Sequence, residues 1–102
     1  MDSVVDYIVE AINKPIENKY SYDYFVKEDE DHALTNIVDE KEWFKNKLNE
    51  KLDPSKVVYN SVDTYDFRSH IILTFTYNEK RCEIMEKYGR EYYWVVYISE
   101  AV

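Results

Sequence analysis

The C-terminal run Glu91-Tyr-Tyr-Trp-Val-Val-Tyr-Ile-Ser-Glu100 constrains this chain more than any other stretch. From Tyr92 to Ile98 every residue is aromatic or β-branched, a composition that suits a pleated, packed surface and loses side-chain freedom in a helix. Alternation puts Tyr92, Trp94, Val96 and Ile98 on one face and Tyr93, Val95 and Tyr97 on the other. Both faces are then apolar or amphipathic, which predicts a strand inside a sheet, with helices covering one side.

The rest of the chain has to supply that sheet and its cover. At 102 residues it holds one domain with one core, large enough to fold without disulfides or metal. The single Cys82 has no intramolecular partner, and no run of about 18 apolar residues occurs, so a cytoplasmic protein that does not enter the membrane is expected. With 45% hydrophobic and 17% aromatic residues, the composition is that of a folded domain even though 33% of residues are charged.

Ser3 with Asp6 three residues on forms a capping signal ahead of Val4, Val5, Ile8, Val9 and Ile12, which repeat at helical spacing. Pro15 disfavours helical backbone at Lys14, so this helix ends near Asn13. Tyr20 to Val26 alternates, with Tyr20, Tyr22, Tyr24 and Val26 opposite Ser21, Asp23 and Phe25, which predicts a half-solvated strand. A charged connection, Glu28-Asp-Glu-Asp31, follows.

Residues 33–52 admit one long helix, because Leu34, Ile37, Val38, Phe44, Leu48 and Leu52 share a stripe. The pair Asp39 and Glu42 instead favours a helix starting at Asp39, with Ala33 to Val38 as the second arm of a hairpin. Asp53-Pro54 stops the helix. Val57 to Tyr65 and Arg68 to Tyr77 read as an antiparallel pair. Glu79 to Tyr88 is rich in helix formers, with Gly89 at a C′ position, and is expected as a short third helix; the alternative is a strand in a three-stranded meander. The expected fold is α+β: an antiparallel sheet of about five strands with two main helices on one face.

No catalytic set, cofactor motif or metal-ligand spacing stands out. Gly89 is the only glycine, so a glycine-rich phosphate cradle is absent. Cys82 adjoins Arg81, yet a free cysteine is most often a small buried hydrophobe. Asp63, Asp66 and His70 offer two carboxylates and an imidazole for a divalent metal, or equally a polar hairpin turn.

Charge and tyrosine content are the informative features. Twenty-one acids against 13 bases leave a net charge of −8, which repels nucleic acid and anionic membranes and attracts a basic protein partner. Residues 1–56 hold 14 acids and 8 lysines, so most of the excess lies in the first half. Asp23, Glu28, Asp29, Glu30, Asp31, Asp39, Glu40 and Glu42 face only Lys27 and Lys41 in that segment. In extended chain, residues two apart lie about 6.6 Å apart, close to the ~6.8 Å between phosphates two steps along a DNA strand; a solvated loop satisfies the same spacing. The 11 tyrosines include Tyr20, Tyr22 and Tyr24 on one strand face, a ridge suited to an interface as well as to a wet sheet face.

In size and charge the chain resembles the small acidic DNA mimics of phages and mobile elements, including anti-CRISPR and anti-restriction proteins. The resemblance is compositional and assigns no residue. It implies a non-enzymatic inhibitor of a nucleic-acid-processing partner; the contact surface expected from charge and alternation is the eight acids and three tyrosines above. An immunity protein or antitoxin against a basic toxin, and a metal-dependent hydrolase or nuclease, are the alternative expectations.

Overall fold

The N-terminal stripe folds as expected. In the computed structural model, which describes residues 3–16, 20–27, 37–60, 65–66 and 69–101, helix α1 spans Ser3–Ile12 and buries Val4, Val5, Ile8 and Ile12 completely. Its last turn is closed by Asn13, whose Nδ2 donates to the Val9 carbonyl at 2.9 Å, and by Asn78, whose Nδ2 reaches the Ile12 carbonyl at 3.3 Å. Helix α2 spans Ile37–Lys51 and buries Phe44 and Leu48, with Leu52 just beyond its end. The stop at Asp53-Pro54 holds: Asp53 caps a single 3₁₀ turn, Pro54–Lys56, by accepting from the Ser55 amide at 3.1 Å.

Among the described residues, six antiparallel strands make one sheet: β1 Tyr20–Val26, β2 Val58–Asn60, β3 Tyr65–Asp66, β4 Ser69–Tyr77, β5 Lys80–Tyr88 and β6 Tyr92–Glu100. Their order is β1-β6-β5-β4-β2, with β3 also on β4. The C-terminal run is therefore flanked on both sides, by β1 and β5. The expected pairing of 57–65 with 68–77 is present, with its first arm divided into β2 and β3.

Three expectations are corrected. Residues 79–88 are not a helix. Their helix-forming side chains carry a period of two, with Lys80, Cys82, Ile84 and Glu86 buried on one face, and burial against two strands overrides intrinsic propensity. Asn78 and Glu79, at φ 53° and 61°, form the two-residue hairpin turn that feeds this strand. Second, Ile37 and Val38 open α2, so the helix starts before Asp39 and the partner of β1 is β6; residues 33–36 lie outside the described residues. Third, alternation along the second arm puts His70, Ile72, Thr74 and Thr76 opposite Ile71, Leu73, Phe75 and Tyr77; in β4 it is broken by a register shift between Ile71 and Leu73, and Ile72 and Leu73 are both buried.

Both helices lie on the face that carries Trp94, Val96 and Ile98, beside Cys82 and Ile84 of β5 and Phe75 of β4. Trp94 is the largest fully buried side chain, set edge-on to Phe44 at 5.1 Å and stacked on Trp43 at 6.0 Å and 14°. Burying side chains of this size stabilises by about 1.5–3 kcal/mol each, which ties β6 to α2. No helix among the described residues is long and apolar enough to cross a membrane.

Candidate protein-binding surface

The helices cover one side of the sheet, and the register defines what remains on the other. Cross-strand partners share a face, so Tyr22↔Tyr97, Tyr24↔Val95 and Val26↔Tyr93 place these six residues together on the uncovered side. Tyr20, Tyr22 and Tyr24 are exposed at 55%, 56% and 62%, whereas Val95 beneath them is buried. Tyr22 stacks on Tyr97 at 5.4 Å and 19°, Tyr20 lies 6.2 Å from Tyr97 and 6.3 Å from Tyr22, and Tyr24 meets Tyr93 edge-on at 6.2 Å. The result is an aromatic surface in two groups, Tyr20 with Tyr22 and Tyr97 and Tyr24 with Tyr93, whose hydroxyl groups keep it compatible with water.

This surface reaches the edge of the sheet. Among the described residues, β1 pairs only with β6, and its other edge is unpaired. Part of that edge is blunted internally: the Tyr24 amide donates to Asp23 Oδ1 at 2.8 Å. Two recesses flank the strand. One, of about 460 Å³, lies between α1 and the start of β1, with Tyr7, Glu10, Ile16, Tyr20 and Ser21 in its wall. The other, of about 300 Å³, is formed by Tyr24, Val26, Glu91 and Tyr93. Tyr7 anchors the first: its hydroxyl shares a 2.7 Å hydrogen bond with Ser21, and burial raises its pKa against that bond.

The predicted acidic field is divided. Asp39 and Glu42 are exposed on α2, in the helix layer and thus across the sheet from the tyrosines. Asp23 is exposed on β1, on the face opposite Tyr22 and Tyr24. Glu28, Asp29, Glu30 and Asp31 lie outside the described residues. Glu40 is a correction: it is 1% exposed and does not belong to any surface. It is drawn inward because Lys27, at the end of β1, hydrogen-bonds both Glu40 and Glu86, the latter at 2.5 Å. Lys27 also lies 5.8 Å from the ring centroids of Tyr92 and Trp94.

The energetics of this buried cluster follow from its excess of negative charge. Burial raises the Glu40 pKa, hydrogen bonding to Lys27 opposes it, and the neighbouring Glu86 charge raises it further. Burial disfavours the Lys27 ammonium, yet its bonds to Glu40 and Glu86 hold its pKa above the ordinary value. Cys82 is completely buried, and burial raises its thiol pKa far above the range in which a thiolate forms. Asp63 lies outside the described residues, while Asp66 and His70 stand on the paired strands β3 and β4. Among the described residues no group of three or more metal-type ligands occurs.

Sequence reasoning missed Tyr93, Tyr97 and Glu91 as members of the surface and Lys27 as the partner of Glu40. The first two were visible as one face of β6; what was not visible was that β1 lies beside them. Comparison with protein-family models, with curated proteins and with solved structures finds no match.

Proposed function

We propose that this chain is a non-enzymatic binding protein that inhibits a basic, nucleic-acid-processing protein. The observation that carries the reading is the exposed tyrosine face at a sheet edge that has no partner strand among the described residues, on a chain with a net charge of −8. Tyrosine supplies contact area at low ordering cost, and contiguous exposed aromatic surface marks interaction sites. The overall charge selects a partner of opposite sign and speeds its approach. The contact is therefore read as aromatic at its centre with acidic groups at its margin. Asp23, on the edge strand, is read as part of that margin, while Asp39 and Glu42, across the sheet, and the four acids that follow Lys27 in sequence add to the long-range field. Phosphate mimicry is the part these acids play.

The test is a pull-down from the native host at low and moderate salt, using wild type and a Tyr20, Tyr22 and Tyr24→Ser triple variant. The supporting result is capture of a basic enzyme whose activity on its nucleic-acid substrate falls as the chain is added, with capture lost in the variant. Failure to capture a basic partner, or inhibition that survives loss of the tyrosines, overturns the reading. Capture of a basic toxin instead identifies an immunity protein or antitoxin, which the same charge serves.

A further inference from the structure

We propose that the recess formed by Tyr24, Val26, Glu91 and Tyr93 is a binding site for one arginine side chain of a protein partner. It measures about 300 Å³, the scale of a single long side chain and its hydration, and it opens on the uncovered face of the sheet. The Tyr24 and Tyr93 rings meet edge to face, 6.2 Å apart at 77°, and both line the recess. A ring face attracts a cation through its quadrupole, and a guanidinium adds planar stacking. Glu91 supplies the charge. It is exposed in the turn between β5 and β6, where its carbonyl accepts from the Gly89 amide at 3.2 Å. It has no ion-pair partner among the described residues.

Two rings, a carboxylate and an apolar wall from Val26 match an arginine along its length: stem on Val26, plane on tyrosine, fork on Glu91. The same protein already holds a cation this way internally, since Lys27 sits between two carboxylates and two aromatic rings. Arg90, next to Glu91 in the turn, and Lys87, the cross-strand neighbour of Tyr93, are the internal competitors, and neither pairs with a carboxylate among the described residues. The occupant is taken to be a polypeptide side chain because the chain's charge favours a basic protein, so the proposal rests on the preceding functional reading for its source.

The experiment titrates acetyl-Gly-Arg-Gly-amide into the full chain and follows it by two-dimensional NMR, with the neutral citrulline tripeptide as isostere. Expected are saturable shifts of the Tyr24 and Tyr93 rings and the Glu91 amide, with arginine binding about tenfold tighter than citrulline. Glu91→Gln brings arginine down to the citrulline level while the melting temperature stays put, because Glu91 is exposed. Equal binding of the two peptides, shifts confined to other surfaces, or unchanged arginine binding in Glu91→Gln overturns the site. The two readings fail separately. Selective tripeptide binding with no basic partner captured leaves the recess standing without its proposed source. A partner held equally by wild type and Glu91→Gln, with no tripeptide selectivity, removes the recess and keeps the binding protein.

Discussion

Glu40 of α2 and Glu86 of β5 share one counter-ion among the described residues, the Lys27 ammonium at the end of β1, and all three side chains are largely removed from water. Two carboxylates on one ammonium leave the cluster net negative. Removing its members therefore has unequal consequences. Lys27→Met strands two buried carboxylates and is expected to cost about 3–5 kcal/mol at neutral pH. Glu40→Gln leaves Lys27 paired with Glu86 and costs much less. Denaturant unfolding of both variants checks this, and equal losses would sink it.

The pH dependence follows from the same cluster. Glu40 has a raised pKa, so the folded chain holds its proton more tightly than the unfolded chain. Its contribution to stability accordingly falls as pH rises from the ordinary carboxylate range into the raised one. Lys27 has the opposite dependence: its contribution is complete below the ordinary lysine value of 10.5 and is lost as pH rises through its higher folded value. In Lys27→Met the carboxylates lose their counter-ion, so the penalty is expected to shrink as pH falls through the carboxylate range. Unfolding curves for wild type and variant between about pH 4 and pH 7 read this directly.

Trp94→Ala removes the side chain that joins β6 to Phe44 and Trp43. The expected loss is about 3–5 kcal/mol, within the range for truncating a buried aromatic. An unchanged melting temperature would mean that β6 is not held by α2.

Glu79 occupies a left-handed backbone conformation at φ 61°, the second central position of the β4–β5 turn, where glycine is favoured. Glu79→Gly is expected to stabilise by up to about 1 kcal/mol, relief of the steric cost exceeding the added chain entropy. A thermal melt that shifts downward contradicts this.

Cys82 is sealed between Phe75 and Ile98 in the sheet register. It is expected to resist a thiol reagent until the chain unfolds, and Cys82→Ser should leave partner binding intact. Rapid labelling of the native chain, or binding lost with the fold retained, argues for a functional thiol.

Neutralising Asp39 and Glu42 together with Glu28 to Asp31 as amides should weaken partner capture at low salt. Exposed charges act mainly on association and are screened over about 8 Å at physiological ionic strength. Association kinetics across a salt series measure the effect. Capture that is indifferent to both changes removes the acids from the interface and leaves the tyrosines to carry it.

The α+β class, the two helices, the buried stripe of α1, the helix stop at Asp53-Pro54 and the interior strand at Tyr92 to Ile98 were all determined by local pattern. In each, periodicity and a capping or breaking residue agree within a dozen positions. The tyrosine ridge was legible for the same reason, since alternation alone puts Tyr20, Tyr22 and Tyr24 on one face. Tertiary structure decided the rest. Residues 80–88 are helix-forming by composition and extended only because β4 and β6 lie on either side of them. Glu40 looked like one more surface acid until β1 and β5 brought Lys27 and Glu86 to it. The joining of Tyr93 and Glu91 to Tyr24 depends on the pairing of the first strand with the last, a contact between distant residues for which a single sequence holds no local signal.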